Sequence, residues 1–167
     1  MPTTIAIKQI TSPIGTLTAG ATEKGLCMLG FGEKTEFKTT LDYNSEIGEH
    51  RFINETEKQL IDYFNNERTE FDIPLDLIGT DFQISVWNEL LNIPFGKTRS
   101  YKEQAIAIGN LKAIRAVATA NGANRIPIII PCHRIIGSDG SLTGFSGGLW
   151  RKKFLLNLES KQTNLFD

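Results

Sequence analysis

Short apolar runs separated by turn residues make up the beginning of the chain. They occupy residues 4–10, 13–20 and 25–31, and runs of this length with interleaved glycine predict a small antiparallel sheet. Cys27 lies inside the third run, where a lone cysteine is typical of a small core residue rather than a nucleophile. This part of the sequence is therefore expected to form a structural scaffold without a catalytic role.

A helical pattern follows these runs. Asn54 and Glu57 are placed to cap a helix, and its apolar face is expected to hold Leu60, Ile61 and Phe64. The sheet and this helix together predict an α/β domain.

The pattern changes to helical spacing in the second half. Two pairs have the spacing of a capping box, Thr80 with Gln83 and Ser100 with Glu103. The second pair begins a short helix through about residue 108, and a Gly-Asn turn leads into another helix over about 111–120. Two short helices joined by a tight turn have the sequence form of a helix-turn-helix.

A last helix is predicted over about residues 148–158, closed by Glu159. We therefore expect an α/β scaffold domain with a small antiparallel sheet over residues 1–78. Residues 79–167 are expected to form a mainly α-helical domain that contains a helix-turn-helix.

Composition and charge narrow the function classes. Apolar residues make up 40% and charged residues 22%, as in a globular protein, and no apolar stretch reaches the ~20 residues of a membrane helix. With two cysteines and no signal-peptide pattern we expect a reducing, cytoplasmic setting, or a nuclear one in a eukaryote. From residue 80 onward eleven Lys and Arg outnumber six Asp and Glu, which favours a polyanionic partner.

The candidate chemistry lies at residues 128–136, where a buried apolar strand is expected to end at Pro131 and lead into Cys132, His133 and Arg134. A thiol is a weak nucleophile at its free pKa of about 8.5, and a neighbouring base activates it. Adjacent side chains on a strand point to opposite faces, so the pair needs a bridging water or a bend. A packing cysteine is the alternative, whereas zinc ligands are too few for a metal site.

These residues resemble a known family. Pro131-Cys132-His133-Arg134 is similar to the active-site signature of the O6-alkylguanine-DNA alkyltransferases. Other segments resemble the family in order along the second half: Phe82-Gln83-x-x-Val86-Trp87, Ile93-Pro94-Phe95-Gly96-Lys97-Thr98, Ser100-Tyr101, Ile108-Gly109, Arg115-Ala116-Val117, Asn124, Gly144-Phe145-Ser146-Gly147-Gly148 and Leu155-Leu156-x-x-Glu159. The first half matches only in length and general character. The resemblance implies that the helix-turn-helix is winged-helix-like and that residues 79–167 carry catalysis and DNA binding.

The resemblance implies a reaction. Cys132 would accept the alkyl group from O6-alkylguanine by in-line displacement, His133 would take the thiol proton through a water, and Glu159 would orient that histidine. The thioether product has no ready leaving group, so each molecule would act once. Neither a metal nor an organic cofactor is required, because DNA itself is the donor.

The resemblance also implies how the base is held after it is flipped out of the duplex. Tyr101 would donate a hydrogen bond to a ring nitrogen of the base, and the backbone around Phe145 and Ser146 would hydrogen-bond O6. Arg115 would fill the vacated stack, and Asn124 would brace the loop. Two basic residues are expected to contact phosphate, Arg134 and Lys112.

The sequence departs from the family at three positions that do not touch the nucleophile. Phe145 stands where tyrosine is frequent, Arg125 where proline is frequent, and Leu158 where histidine is common. These differences leave open the rate, the preferred alkyl group and the repair of O4-alkylthymine.

The expected partner is double-stranded DNA, bound by a monomer through phosphates, without sequence preference and with no membrane involved. Three alternatives remain at this point. One is a related protein that binds alkylated DNA without repairing it. The others are a Cys-His hydrolase, which would need an oxyanion hole, and a DNA-binding regulator in which Cys132 is incidental.

Overall fold

The computed structural model describes residues 2–34 and 41–163, with side chains described as far as residue 160. The chain divides into two compact units, Met1–Gly79 and Thr80–Asp167. No helix in these described ranges is both long enough and apolar enough to cross a membrane.

The N-terminal unit is a small α/β structure. Its elements are β1 (Thr3–Ser12), β2 (Gly15–Ala21), β3 (Leu26–Phe31), β4 (Tyr43–Ile47) and α1 (Arg51–Phe64). The predicted antiparallel sheet is present as β1, β2 and β3, and β4 adds to β1 in parallel, so that the order is β3-β2-β1-β4 and the sheet is mixed. Hydrophobic periodicity could not reveal β4, because four of its five residues are exposed.

Helix α1 begins earlier than predicted. Its N-cap is His50, whose ring Nδ1 accepts a hydrogen bond from the backbone N–H of Phe52 at 3.2 Å, so the predicted cap at Asn54 is wrong. A histidine ring nitrogen can do the work of the usual Ser, Thr, Asp or Asn cap. Leu60 is buried as expected, but Ile61 is 52% exposed because the buried face is centred on other residues, namely Ile53, Thr56, Gln59, Leu60 and Tyr63.

Cys27 is a core residue, as predicted. It is fully buried in β3 and packs in an apolar cluster with Ile5, Ile7 and Met28. A thiol in that position is closed to solvent and to any large substrate.

The C-terminal unit is mainly helical. Its elements are α2 (Asp81–Leu90), β5 (Arg99–Ser100), α3 (Tyr101–Ile108), α4 (Ile114–Gly122), β6 (Ile135–Ile136) and α5 (Leu149–Thr163), with 3₁₀ helices at Leu111–Ala113 and Cys132–Arg134. Both predicted capping boxes are present, at the start of α2 and of α3. The two-residue strands β5 and β6 pair in parallel.

The predicted helix-turn-helix consists of α3, a turn and α4. Gly109 ends α3 with φ of 90°, a left-handed conformation that glycine adopts at little cost. Inside the pair, Gln104 of α3 and Asn121 of α4 exchange two side-chain hydrogen bonds of 2.7 Å and are both buried. Because a buried amide left unpaired costs about 1–3 kcal/mol, this exchange favours one arrangement of the two helices. The indole N–H of Trp87 joins α2 to α4 through the carbonyl of Ala120 at 2.9 Å.

Two sequence-based expectations are corrected in the C-terminal unit. Residues 128–130 are buried but form a turn instead of a strand, with φ of 75° at Ile128 and a backbone bond from Ile130 N to the carbonyl of Ile126. An apolar run of this length is compatible with any buried segment, and periodicity alone does not separate the cases. Glu159 does not close the last helix, since α5 continues to Thr163.

Candidate active site

Cys132 lies where the buried turn becomes a 3₁₀ helix, and its side chain faces a small cavity. The residue is 6% exposed, and the cavity has a volume of about 190 Å³. The lining comes from α3, from α4 and from the loop before α5, and consists of Tyr101, Ala118, Asn121, Gly122, Cys132, Gly144, Phe145 and Ser146. The nucleophile predicted from sequence is therefore next to a binding space.

The turn before Cys132 is held by the side chain of Asn124. Its Nδ2 donates to the carbonyl of Ile130 at 2.8 Å, and its Oδ1 accepts from the backbone N–H of Ile126 at 3.0 Å. The same side chain hydrogen-bonds the Cys132 thiol. A single buried amide thus replaces the ladder bonds of a strand and presents the cysteine.

Burial raises the pKa of the Cys132 thiol to about 11, although the Asn124 hydrogen bond and the charge of Lys152 both act to lower it. The thiol is therefore protonated at neutral pH. Only the thiolate is strongly nucleophilic, so chemistry at this sulfur requires a base that removes the proton.

Glu159 is the buried centre of the hydrogen bonds behind Cys132. It is 1% exposed, and its Oε2 lies 2.7 Å from His133 Nε2. Arg134 donates to both carboxylate oxygens, from Nε at 2.8 Å and from Nη2 at 3.1 Å, and the backbone N–H of Gly96 donates at 3.3 Å. Burial alone would raise the pKa of Glu159, but the bonds from His133 and Arg134 hold it well below its usual range. The carboxylate is therefore ionised.

His133 is fully buried, and its two ring nitrogens have different surroundings. Burial lowers its pKa below the usual value, even though the hydrogen bond with Glu159 acts in the opposite direction. Because the ionised carboxylate can only accept, Nε2 carries the proton of the neutral ring. The buried Nδ1 has no hydrogen-bond partner among the described residues. It therefore has a lone pair with which to act as a base.

The 3₁₀ helix resolves the difficulty of two adjacent residues acting together. On a strand the side chains of Cys132 and His133 would diverge to opposite faces. In the 3₁₀ helix Cys132–Arg134 the backbone turns at these residues, and all three side chains are buried. His133 and Arg134 then both reach Glu159 on α5.

The residues predicted to bind a base line the cavity with Cys132. Tyr101 is half-buried at the start of α3, and its hydroxyl donates to the carbonyl of Thr143 at 2.9 Å. Phe145 and Ser146 belong to the lining loop before α5. The nearby Gly144 has φ of 60°, and a Cβ there would lie 3.3 Å from the Tyr101 hydroxyl. The sequence-predicted group is thus brought together from two distant segments.

The basic residues predicted to contact DNA differ in their exposure to solvent. Arg115 in α4 and Lys112 in the 3₁₀ helix before it are exposed. The phosphate contact expected of Arg134 is wrong, because that side chain is 6% exposed and its guanidinium is bound to Glu159 and, at 2.7 Å, to the carbonyl of Ile93. A guanidinium committed to a buried carboxylate cannot also reach the backbone of a nucleic acid.

Lys152 is a site residue that sequence reasoning missed. It is fully buried on α5, and its ammonium donates to the carbonyl of Thr143 at 2.8 Å, the same carbonyl that accepts from Tyr101. Burial lowers the pKa of Lys152 from its usual value, although the negative charge of a Cys132 thiolate acts in the opposite direction. The signal was available, because Lys152, Leu155 and Glu159 share one helix face at spacings of three and four.

Among the described residues, no group of three or more His, Cys, Asp or Glu is placed to hold a metal ion.

Two family models match the chain, one for each unit. The model described as the DNA binding domain of 6-O-methylguanine DNA methyltransferase matches residues 81–161. The model described as the ribonuclease-like domain of the same protein matches residues 6–77.

Individual relatives match over most of their length. A methylated-DNA–protein-cysteine methyltransferase of Methanosarcina barkeri is 49% identical, with 90% of this chain and 94% of that protein covered. The protein of that name from Mycobacterium tuberculosis is 46% identical, with 98% and 99% covered. The crystal structure of M. tuberculosis OGT in complex with DNA superposes with a TM-score of 0.81 at 46% identity, covering 97% of this chain and 99% of that one.

The buried position of Arg134 leads to a stability prediction. Arg134→Met leaves Glu159 with one fewer buried cation, and breaking such a pair typically costs about 3–5 kcal/mol. We expect the free energy of unfolding in urea to fall by that order, while Lys112→Met, an exposed site, changes it by less than about 0.5 kcal/mol. Equal stability of the two variants would contradict the structural role given to Arg134.

Proposed function

Because this chain belongs to the 6-O-methylguanine DNA methyltransferase family, we propose that Cys132 is the residue that accepts the alkyl group and that O6-alkylguanine is its donor. The protein repairs DNA by alkyl transfer to a cysteine. The observation that carries the assignment is the cavity: Cys132 lines it, whereas Cys27 is enclosed in the apolar core of the other unit.

Activation of the thiol is the first step. A water between the two side chains carries the proton of Cys132 to Nδ1 of His133, the ring nitrogen left without a partner in the described structure. The resulting imidazolium is stabilised by Glu159, whose Oε2 is 2.7 Å from Nε2. Cys132, His133 and Glu159 thus act as nucleophile, base and orienting group, the arrangement found in other activated nucleophiles.

Transfer of the alkyl group follows. The thiolate sulfur attacks the alkyl carbon in line with its bond to O6; the new C–S bond forms as the C–O bond breaks, and the electron pair goes to the guanine. Tyr101 stabilises the leaving base by donating to a ring nitrogen, for which its hydroxyl turns from the carbonyl of Thr143. The backbone N–H groups around Phe145 and Ser146 donate hydrogen bonds to O6. The thioether that remains has no leaving group for water, so each molecule reacts once.

Access to O6 requires that the nucleotide leave the duplex. Arg115 and Ala118 are three residues apart on α4 and so share a face, and Ala118 lines the cavity. Arg115 is exposed, and in this proposal its side chain fills the space of the flipped base. Asn124 keeps the Cys132 turn in place throughout, and Lys112 contacts phosphate.

The division of labour between the units is part of the same proposal. Every residue assigned above to chemistry or DNA contact lies in the C-terminal unit, which also carries the excess of Lys and Arg, while the N-terminal unit acts as scaffold. A single chain therefore suffices, and we propose that it acts as a monomer without sequence preference. The proposed chemistry needs Cys132 as a thiol, and a reducing, intracellular compartment keeps it in that state.

Intact-protein mass after incubation with an O6-methylguanine oligonucleotide tests the assignment. We expect a gain of one methylene, about 14 Da, on one residue per molecule, mapped to Cys132. Cys27→Ser should behave as wild type and Cys132→Ser should show no gain. A gain in Cys132→Ser would contradict the assignment. Binding of the oligonucleotide without a gain in wild type would indicate a non-repairing binder, and repeated turnover of acyl substrates would indicate a hydrolase.

Lys152 gives a second prediction. Its charge acts to lower the pKa of the Cys132 thiol, and a shift of one pKa unit corresponds to a tenfold change in the thiolate population. Lys152→Met should therefore slow single-turnover methyl transfer, by about tenfold for each unit by which the pKa of the thiol rises. Thr143 keeps its hydrogen bond from Tyr101, so we expect little loss of thermal stability.

Lys153→Met is the matched control for this prediction, because the neighbouring Lys153 is exposed. It should retain the wild-type rate. A Lys152→Met protein that melts normally and reacts at the wild-type rate would remove Lys152 from the machinery.

A further inference from the structure

An exposed tryptophan lies close to the candidate active site and has no part in the reaction described above. Trp150, at the start of α5, is 56% exposed, whereas the other tryptophan, Trp87, is 1% exposed. Exposure of so large an apolar ring costs solvation free energy, and single exposed tryptophans are frequent in binding surfaces.

The indole of Trp150 is held in place by its neighbour. The guanidinium of Arg151 lies over the ring, 4.5 Å from the centroid, and its Nη1 donates to the carbonyl of Gly147 at 2.9 Å. A cation fixed on one face of an indole leaves the other face as a flat, pre-ordered surface. Ordering the ring before a ligand arrives reduces the entropy lost on binding.

This surface is continuous with the wall of the cavity. Gly148 has φ of 89°, and a Cβ on it would lie 3.4 Å from the Trp150 ring. Its backbone N–H donates to the carbonyl of Phe145 at 2.9 Å, and Phe145 lines the cavity with Cys132. Trp150 therefore lies beside Gly148, at the end of the loop that begins with the cavity-lining residue Phe145.

An exposed indole beside a fixed arginine has the chemistry that single-stranded nucleic acid recognises. Unpaired bases stack on aromatic rings, and the adjacent cation attracts the phosphates that join them. The C-terminal unit, with eleven Lys and Arg against six Asp and Glu from residue 80 onward, favours a polyanion over an acidic or neutral protein surface.

We propose that Trp150, braced by Arg151, stacks on an unpaired nucleotide that neighbours the alkylated guanine in the same strand. The proposal rests on the function proposed above. It makes Trp150 a specificity residue: a neighbouring nucleotide is free to stack in a single strand, whereas in an intact duplex it remains paired. The contact therefore strengthens binding to single-stranded substrates more than to duplex.

Tryptophan fluorescence and affinity test the proposal in the Cys132→Ser background, where no alkyl group can be transferred. Because Trp87 is buried, quenching on titration with a single-stranded O6-methylguanine oligonucleotide reports on Trp150. Trp150→Ala should abolish the quenching and weaken binding by about tenfold, the usual effect of losing one base–aromatic stack. Trp150→Phe, which keeps a ring, should retain most of the affinity, and Leu91→Ala, another exposed apolar site, should bind as the background protein does.

Methyl transfer in the otherwise native protein separates this proposal from the one on which it rests. With Trp150→Ala, the rate at limiting single-stranded oligonucleotide should fall about tenfold, the rate with duplex should fall less, and the rate with the nucleoside O6-methyldeoxyguanosine should be unchanged. A loss shared by all three substrates, or no loss with the single strand, would overturn the role of Trp150. Failure of the wild-type protein to transfer methyl from any of them would instead overturn the proposed function.

Discussion

The buried charge of Glu159 is the interaction on which the site depends. A carboxylate removed from water is costly unless each oxygen is compensated, and Glu159 is bonded to the imidazole of His133, to two nitrogens of Arg134 and to the backbone N–H of Gly96. These partners come from the 3₁₀ helix and from the turn after α2, while Glu159 itself is on α5. Satisfying one charge therefore fixes three segments of the C-terminal unit, and with them the residue that precedes His133.

The buried position of the nucleophile, in contrast, works against its reactivity. Burial next to the cavity shields Cys132 from bulk solvent but raises the pKa of its thiol to about 11, so that the reactive thiolate is scarce at neutral pH. In the mechanism proposed above, the neutral His133, oriented by Glu159, and the buried ammonium of Lys152 offset this cost. A thiol that is mostly protonated suits the single-turnover mechanism proposed above, because reaction with other electrophiles would waste the molecule.

The sequence predicts the parts of this arrangement that local rules govern. Both capping boxes, the helix-turn-helix and the buried Cys27 are confirmed because each depends on neighbouring residues or on a simple apolar pattern. The strand assigned to residues 128–130 is wrong because burial does not specify backbone conformation, and the side chain of Asn124 supplies the hydrogen bonds that a sheet would have given. The role of Arg134 was misjudged, since only the fold brings it to Glu159. Lys152 was missed because a lysine on a helix is normally an exposed charge.

The central claim is that His133, oriented by Glu159, removes the proton from Cys132, and the pH dependence of single-turnover methyl transfer tests it most directly. Since burial holds the pKa of His133 below its usual value, the base is free at neutral pH. The rate should be nearly constant from about pH 7 to 9 and should fall only at a pH below the ordinary imidazole pKa of about 6.5, because the pKa of His133 is lowered. A rate that instead rises about tenfold for each unit from pH 7 to 10, as expected of a thiol that must ionise on its own with a pKa of about 11, would contradict the account.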